Sequence, residues 1–426
     1  MSNNLLTISK ITNEALMVLE NSLTFTSRVN RDYQDQFAQV GAKIGDTVNV
    51  RKPGRFIGTT GPNLSVEDFY ESSVPVVLGN TAANGAQFHV DTQFNTKDLA
   101  LSIDEFSNRV LKPAIAAIAN RIDRDGLVMA KNATANIVGV AGTAPTGLVP
   151  YLTGQAYLTA EGAPLDGNRS IVIEPFTNAA VVDSLKGLLV PGSKVSNQYT
   201  KGLMGTDTAG MDWYVDQNVV SQTFGSWATT VGTLTANTSV NAGFVTTGWA
   251  STSTITLTNS QTLTLNQGDV IQLANVFAVN PQNRQAYGSN RQRNFVVTST
   301  VTAAAGTFSV TVSPAIITAG QFQNVTIGTT STTATVTPFS IAGTTATAVV
   351  SPQNIMFHKN AYTMACADLL LPEGVHFAGR ASDKDVGLSI RVVRQYTINN
   401  DAIPTRLDVL YGWAPLYPEL ACRVAA

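Results

Sequence analysis

The sequence predicts an α+β protein, on three observations. Residues 102–132 carry the longest helical period in the chain. Residues 223–351 are dense in Thr, Ser, Val and Gly and break into short strand-like runs. Mixed α/β patterning stands on both sides of that stretch, so an all-β module, a sandwich or small barrel, is expected as an insertion into an α+β body.

The helical run is SIDEFSNRVLKPAIAAIANRIDRDGLVMAKN. Ser102 followed by Glu105 is a capping box. Leu111, Ile115, Ile118, Ile122 and Met129 recur at helical spacing and form one apolar stripe. Glu105 with Arg109, and Arg121 with Asp125, are opposite charges four apart. Pro113 predicts a kink near Leu111 and Lys112. A helix of this span would reach about 45 Å.

The chain has 426 residues, 44% of them hydrophobic, enough for two or three domains with a sizeable core. Only 13% are charged, against roughly 25% in an ordinary soluble domain. The net charge of -2 disfavours a dedicated nucleic-acid binder, which carries a basic surplus. A chain so poor in charge is expected to hide surface against copies of itself. Cys366 and Cys422 alone suggest free thiols in a reducing compartment. The opening MSNNLLTISK lacks a signal-peptide core, and no apolar run approaches the ~20 residues of a membrane helix. Synthesis in the cytoplasm and no membrane are therefore expected.

Residues 1–40 read as an arm, with Ala15, Leu16, Leu19 and Leu23 on one helical face after a cap at Thr12. A lone short helix is marginal, so its own core or a neighbouring chain must cover that face. In residues 41–100, Val48 and Val50 alternate with polar residues as a strand, and Lys52-Pro53-Gly54-Arg55 signals a turn. Phe56–Ser73 reads as polar and broken by Gly and Pro. Val74–Leu78, with Pro75 inside, reads as an edge strand. Phe88, Val90 and Phe94 alternate with His89, Asp91 and Gln93. The whole reads as a two-stranded excursion, unstable alone, that lies on a neighbouring subunit.

Residues 135–222 predict a strand at Ser170–Ile173, a helix at Ala179–Leu189 and a strand at Trp213–Val215. Residues 223–351 hold four charged residues, Asp269, Arg284, Arg291 and Arg293. The arginines lie in or beside one loop, 280–293, read as a solvated loop with an inter-subunit contact as the competing reading. Residues 352–426 predict a helix through Met364, Cys366 and Leu369, stopped by Pro372, then strands at Ser389–Ile398 and Arg406–Gly412.

No chemistry is legible. His89, His358 and His376 show no metal-ligand spacing. Gly187 to Lys194 has the wrong order for a phosphate loop. No nucleophile elbow or dinucleotide fingerprint appears, so no enzyme, cofactor or metal is expected.

Five segments together carry a family resemblance: LLTISKITNEALMVLENSLTFTSRVNRDY, GAKIGDTVNVRKPGRF, DLALSIDEFSNRVLKPAIAAIANRIDRDGL, FHKNAYTMACADL and RLDVLYGWAPLYPELACRV. In this order they resemble coat proteins of tailed bacteriophages, above all the coat family of the Salmonella podoviruses. The resemblance implies a Hong Kong 97-type capsid fold with an inserted all-β domain. It implies an arm at 1–40, an extended loop with flanking strands at 41–100 and the spine helix of a peripheral domain at 101–134. It further implies an axial domain at 135–222, the insertion at 223–351 and a return into the axial and peripheral domains at 352–426. The implied function is a major capsid protein whose hexamers and pentamers enclose double-stranded DNA. Implied partners are the chain itself, a scaffolding protein, a portal protein, non-specifically held DNA and a decoration protein. Candidate inter-subunit contacts are Arg51, Lys52, Arg55, Phe56, Arg284, Arg291 and Arg293. A cellular nanocompartment shell, or a Thr-rich adhesin or glycan-binding protein, are the competing readings.

Overall fold

The structure is a computed structural model. It describes residues 23–32, 47–58, 60–64, 66, 69–79, 85–95, 112–184, 204–205, 208–228, 235–236, 243–260, 262–287, 291–328, 336–338, 349–383 and 388–426. The chain divides into two compact units, each assembled from separated stretches. The first comprises Met1–Val50, Val74–Met129 and Tyr362–Leu416; the second comprises Arg51–Ser73, Ala130–Ala361 and Tyr417–Ala426.

The first unit is built around the strand Ala402–Pro415. One of its edges pairs with Ala86–Asn95 along ten residues, and the other pairs first with Leu388–Arg394 and then with Tyr362–Ala367. Phe377–Asp383 completes this antiparallel sheet. In Ala86–Asn95 the expected alternation holds, with Phe88, Val90 and Phe94 half-buried and His89, Asp91 and Gln93 exposed. Thr47–Lys52 and Ser72–Val77 form a separate two-stranded sheet.

Helix α1 is described from Lys112 to Ala133. Ile115, Ile118, Ile122 and Met129 of the expected stripe are buried, and Leu127 joins them. The capping box, Leu111 and the kink expected beside it lie outside the described residues, as do Ala15, Leu16 and Leu19 of the arm. Asp123 is buried on the same helix, where its carboxylate accepts the backbone N–H of Thr24 at 2.7 Å, that of Thr26 at 3.0 Å, and the Thr26 hydroxyl. This pins the segment after the arm. Phe25 sits with its ring 5.4 Å from Trp413 and 5.9 Å from Tyr362, and Asn30 exchanges backbone hydrogen bonds with Tyr362 and Met364.

The helix expected through Met364 is instead the strand Tyr362–Ala367, followed by residues without regular structure. Tyr362 to Cys366 are all buried, so both faces of the strand are covered. A short apolar run without alternation has no period by which to tell strand from helix. Cys366 is therefore a buried strand residue, its thiol pushed up to about 12 by burial.

In the second unit the central sheet runs Ile137–Gly139, Ala421–Ala425, Val350–His358, Arg169–Ile173, Asp212–Val215. Helix α2, Val149–Ala160, buries Tyr151 and Leu158 in its core with Ile171, Trp213, Met356 and Val424. Helix α3 is described at Pro175–Ser184, four residues earlier than expected at its start. Pro175, just beyond the expected strand, serves as the first helical residue, where its missing N–H costs nothing.

All named strands from Thr235 to Pro338 belong to one seven-stranded sheet and one two-stranded sheet. Ser253–Asn259 shows how the sequence forms them: Ile255 and Leu257 enter the core beside Leu273, Phe295 and Val310. On either side of them Thr254 and Thr258 face outward and meet Thr311 and Thr307 across the sheet. Ser221–Thr223 pairs antiparallel with Val350–Pro352, so the segment between these strands leaves and returns at one base.

Gly126 faces the aromatic cluster. A Cβ there would lie 2.6 Å from the Trp413 ring and 2.9 Å from Phe25. Gly126→Ala gains about 1 kcal/mol of helix propensity but overpacks a buried site, at a cost of up to about 3 kcal/mol. The expected result is a net loss of about 1–2 kcal/mol in urea unfolding of the monomer, and a stabilised variant would contradict the packing described.

Candidate functional site: the base and the extended loop

The β-rich segment is held at its base by the one carboxylate it contains. Asp269 is fully buried and accepts four hydrogen bonds: from Gly225 N at 3.0 Å, Asn266 N at 2.9 Å, Trp227 Nε1 at 2.8 Å and Gln222 Nε2 at 2.8 Å. Burial raises its pKa above the usual carboxylate value, against those four bonds, which favour the charged form. Gln222 also accepts from Lys131 Nζ at 2.6 Å. Burial, then the neighbouring Arg423 guanidinium, bring Lys131 down to about 8, opposed by Asp269. Arg423, itself buried, donates to Gly268 O at 3.0 Å. Gly268 has φ +91, and a Cβ there would lie 2.8 Å from Gln222 Oε1, so both conformation and space require glycine.

A second tie joins α2 to the 280–293 region. Glu161 follows the last residue of α2, where a negative charge meets the unfavourable end of the helix dipole. Arg291 Nη2 lies 3.0 Å and Arg293 Nη1 3.3 Å from Glu161 Oε1, offsetting it. Arg291 also stacks on Tyr157 and Tyr287, 4.5 Å and 5.0 Å from their ring centroids. The Tyr287 hydroxyl donates to Ala160 O. Arg291 and Arg293 are thus turned inward, not displayed on a solvated loop. A sequence reading sees three arginines in one loop but not the lone acid, 130 residues away, that receives two of them.

Arg284 does reach the surface, where Nη2 donates to Phe56 O at 2.9 Å and to Gln321 O at 3.3 Å. This leads to residues 51–73. Arg51 lies 3.6 Å from Glu71, an exposed pair of little energetic weight. Lys52 Nζ sits 4.6 Å over the Tyr417 ring, and burial lowers its pKa. Arg55 lies 3.9 Å from Glu419. Lys52 and Arg55 therefore fasten the loop to its own unit. Beyond them the stretch read as polar displays apolar side chains: Phe56 is 65% exposed, Leu64 91%, Val66 83%, Phe69 59% and Tyr70 45%. Phe56 and Phe69 stack on each other, centroids 5.8 Å apart. Exposed apolar side chains in such number are unusual for the surface of a lone monomer. Sequence reading missed them because Gly, Pro and Asn between these residues hide any period.

Chemistry is not offered in exchange. Among the described residues no group of His, Cys, Asp and Glu could hold a metal ion, and no described helix is long and apolar enough to cross a membrane. Buried His358 Nε2 lies 3.2 Å from Asp166, and its Nδ1 accepts from Asn360 N, a structural arrangement.

The family described as P22 coat protein, gene protein 5, has a sequence profile that matches residues 1–423. The chain belongs to that family. It is a major capsid protein of a bacteriophage: it self-assembles into the icosahedral shell, resides in the virion capsid and is not an enzyme. Membership carries the Hong Kong 97-type capsid fold that the resemblance implied, here in an α+β chain. No curated protein sequence matches the chain. Solved structures align along most of its length. One from Mycobacterium phage Che8 is 11% identical, covers 94% of this chain and 90% of that one, and has a TM-score of 0.42. The mature capsid of bacteriophage PhiM1 is 10% identical, with 95% and 86% covered and a TM-score of 0.45. A virus-like particle from Pyrococcus furiosus is 7% identical, with 99% and 100% covered and a TM-score of 0.38. Superpositions this loose give no residue-level correspondence.

Two outcomes test the coat protein's base. Glu161→Gln leaves two guanidinium groups without their carboxylate and should cost about 3 kcal/mol in urea unfolding. A loss below about 1 kcal/mol, the level of an exposed pair, would mean the cluster is solvated. For Lys131, the folded pKa of about 8 lies below the ordinary 10.5. Between those values the unfolded chain holds the proton and the folded chain has released it, so stability rises with pH there. Wild type should therefore gain stability relative to Lys131→Met from pH 8 to pH 10.5, and level off below pH 8. Comparison with the variant is needed because buried Cys366 and Cys422, both pushed up to about 12, act in the opposite sense. Parallel wild-type and variant curves would exclude a buried, charged Lys131.

Proposed function

We propose that the coat protein builds its shell by laying residues 51–73 on an adjacent copy, and that Arg51 and Phe56 stand where this contact begins. The observation that carries the reading is the row of exposed apolar side chains from Phe56 to Tyr70, fastened at its base by Lys52 and Arg55. Heterologous contacts of this kind close into rings, which are the hexamers and pentamers of a shell. Arg284, Arg291 and Arg293 act chiefly inside the chain, and Arg284 alone of the three is displayed near the loop.

In this reading residues 1–40 are the arm, 41–100 the extended loop and its strands, and 101–134 the spine helix. Residues 135–222 with 352–426 supply the axial and peripheral domains, and 223–351 are the inserted domain. The pairing of Ser221–Thr223 with Val350–Pro352 supports that last boundary. The shell encloses double-stranded DNA, touched non-specifically. It is assembled in the host cytoplasm with a scaffolding protein and a portal protein, and a decoration protein is a further partner. These partners follow from the family resemblance.

Deleting residues 60–68 should leave a folded monomer, with unchanged circular dichroism, that forms no closed particles by electron microscopy. Normal icosahedral particles from the deleted chain would sink the proposal.

A further inference from the structure

Arg284 occupies a costly backbone position. Its φ is +58, a left-handed conformation that glycine or asparagine adopts more readily than arginine. The loop around it is built to hold that position. Asn280 accepts the N–H of Gln282 on its side chain at 2.8 Å and that of Arg284 on its backbone carbonyl at 2.9 Å. Asn283 Oδ1 accepts from Gln285 N at 3.0 Å, and Asn280 N donates to Gln285 O at 3.0 Å. The side chain so presented donates to two carbonyls that are 265 residues apart in sequence, Phe56 and Gln321. Phe56 is where the fastened base of the loop ends and its exposed apolar row begins.

We propose that Arg284 is a positioning residue for shell assembly. By holding the Phe56 carbonyl against the 280–287 loop, it sets the direction in which residues 56–70 leave and so presents their apolar side chains to a second copy of the chain. The inference rests on the reading that this loop meets a neighbour. It adds that the β-rich segment, far away in sequence, aims the loop. A guanidinium suits this position, because its Nη2 carries two N–H groups at the end of a planar, rigid head and serves both carbonyls at once. Fixing the loop before contact also lowers the entropy lost on association.

The test uses the full-length chain and the Phe56–Ile57 bond, because chymotrypsin must take that carbonyl into its own site to cut there. Arg284→Ala should speed cleavage after Phe56 about tenfold, the factor that about 1.4 kcal/mol of lost hydrogen bonding corresponds to. The thermal midpoint of the monomer should not move. Arg284→Lys, which keeps the charge but loses the planar head that sets the direction of the two Nη2 bonds, should fall between. Shell formation by Arg284→Ala, followed by light scattering and electron microscopy, should give fewer closed particles and more irregular ones. Unchanged cleavage in Arg284→Ala would overturn the clamp itself. Faster cleavage with normal particles would overturn its role in presentation. The deletion of residues 60–68 separately reports whether the loop matters at all, so the two failures are distinguishable.

Discussion

The second unit depends on one buried carboxylate. Asp269 has lost its hydration, and its four donors come from Gly225 and Trp227 before the β-rich strands, Gln222 in the strand that closes the base, and Asn266 beside it. An intramolecular hydrogen bond contributes only about 1 kcal/mol net, so the network adds little after desolvation. Its weight lies in the alternative. Any other docking of the segment would strand a carboxylate, an indole N–H and three amide N–H groups without partners, each at roughly 1–3 kcal/mol. The central sheet, the β-rich strands and the Arg284 loop are thereby held to one arrangement.

The same logic runs through a chain with few charges. Asp123 caps the segment at Thr24–Thr26, Asp408 is buried between Arg391 and Arg406, and Glu161 receives Arg291 and Arg293. Several of its few charged groups lie inside, as joints between stretches distant in sequence. The described surface is correspondingly rich in Thr, Ser, Asn and apolar side chains. A surface of that kind repels copies of itself weakly, which suits a subunit that must pack densely beside others.

Periodic elements were legible in the sequence and joints were not. The stripe Ile115, Ile118, Ile122 and Met129 and the alternation in Ala86–Asn95 follow from spacing, and the structure has them as read; the strand-like character of 223–351 is likewise met, as at Ser253–Asn259. Tyr362–Ala367 was misread because burial on both faces erases the period. Helix α3 began early because Pro175 can open a helix as well as close a strand. Of the residues expected to meet a neighbouring subunit, Lys52 and Arg55 are instead engaged with Tyr417 and Glu419 of their own chain, and Phe56 is the first exposed side chain beyond them. The inward turn of Arg291 and Arg293 was invisible, since pairing with a carboxylate 130 residues away leaves no local pattern. Asp269 did leave a signal: a single acid in residues 223–351 has no solubility role, and burial with many donors is the alternative.

An exposed apolar loop is a hazard for a free monomer, and its construction limits the hazard. The side chains are separated in sequence by polar residues, and Phe56 covers part of Phe69 by stacking. No single one of them, half to nearly fully exposed, supplies more than about 1.5–3 kcal/mol on burial. Contacts of that size form and break singly, so a misplaced subunit can leave, whereas several made together on a closed ring cannot. That sum requires all the side chains to arrive in one orientation. A loop free to swing would lose much of the gain to ordering, at about 1–2 kcal/mol per residue fixed. On the proposed reading, rigidity at the base, from Lys52 on Tyr417, Arg55 by Glu419 and Arg284 on Phe56, is what would let weak contacts add up to a shell.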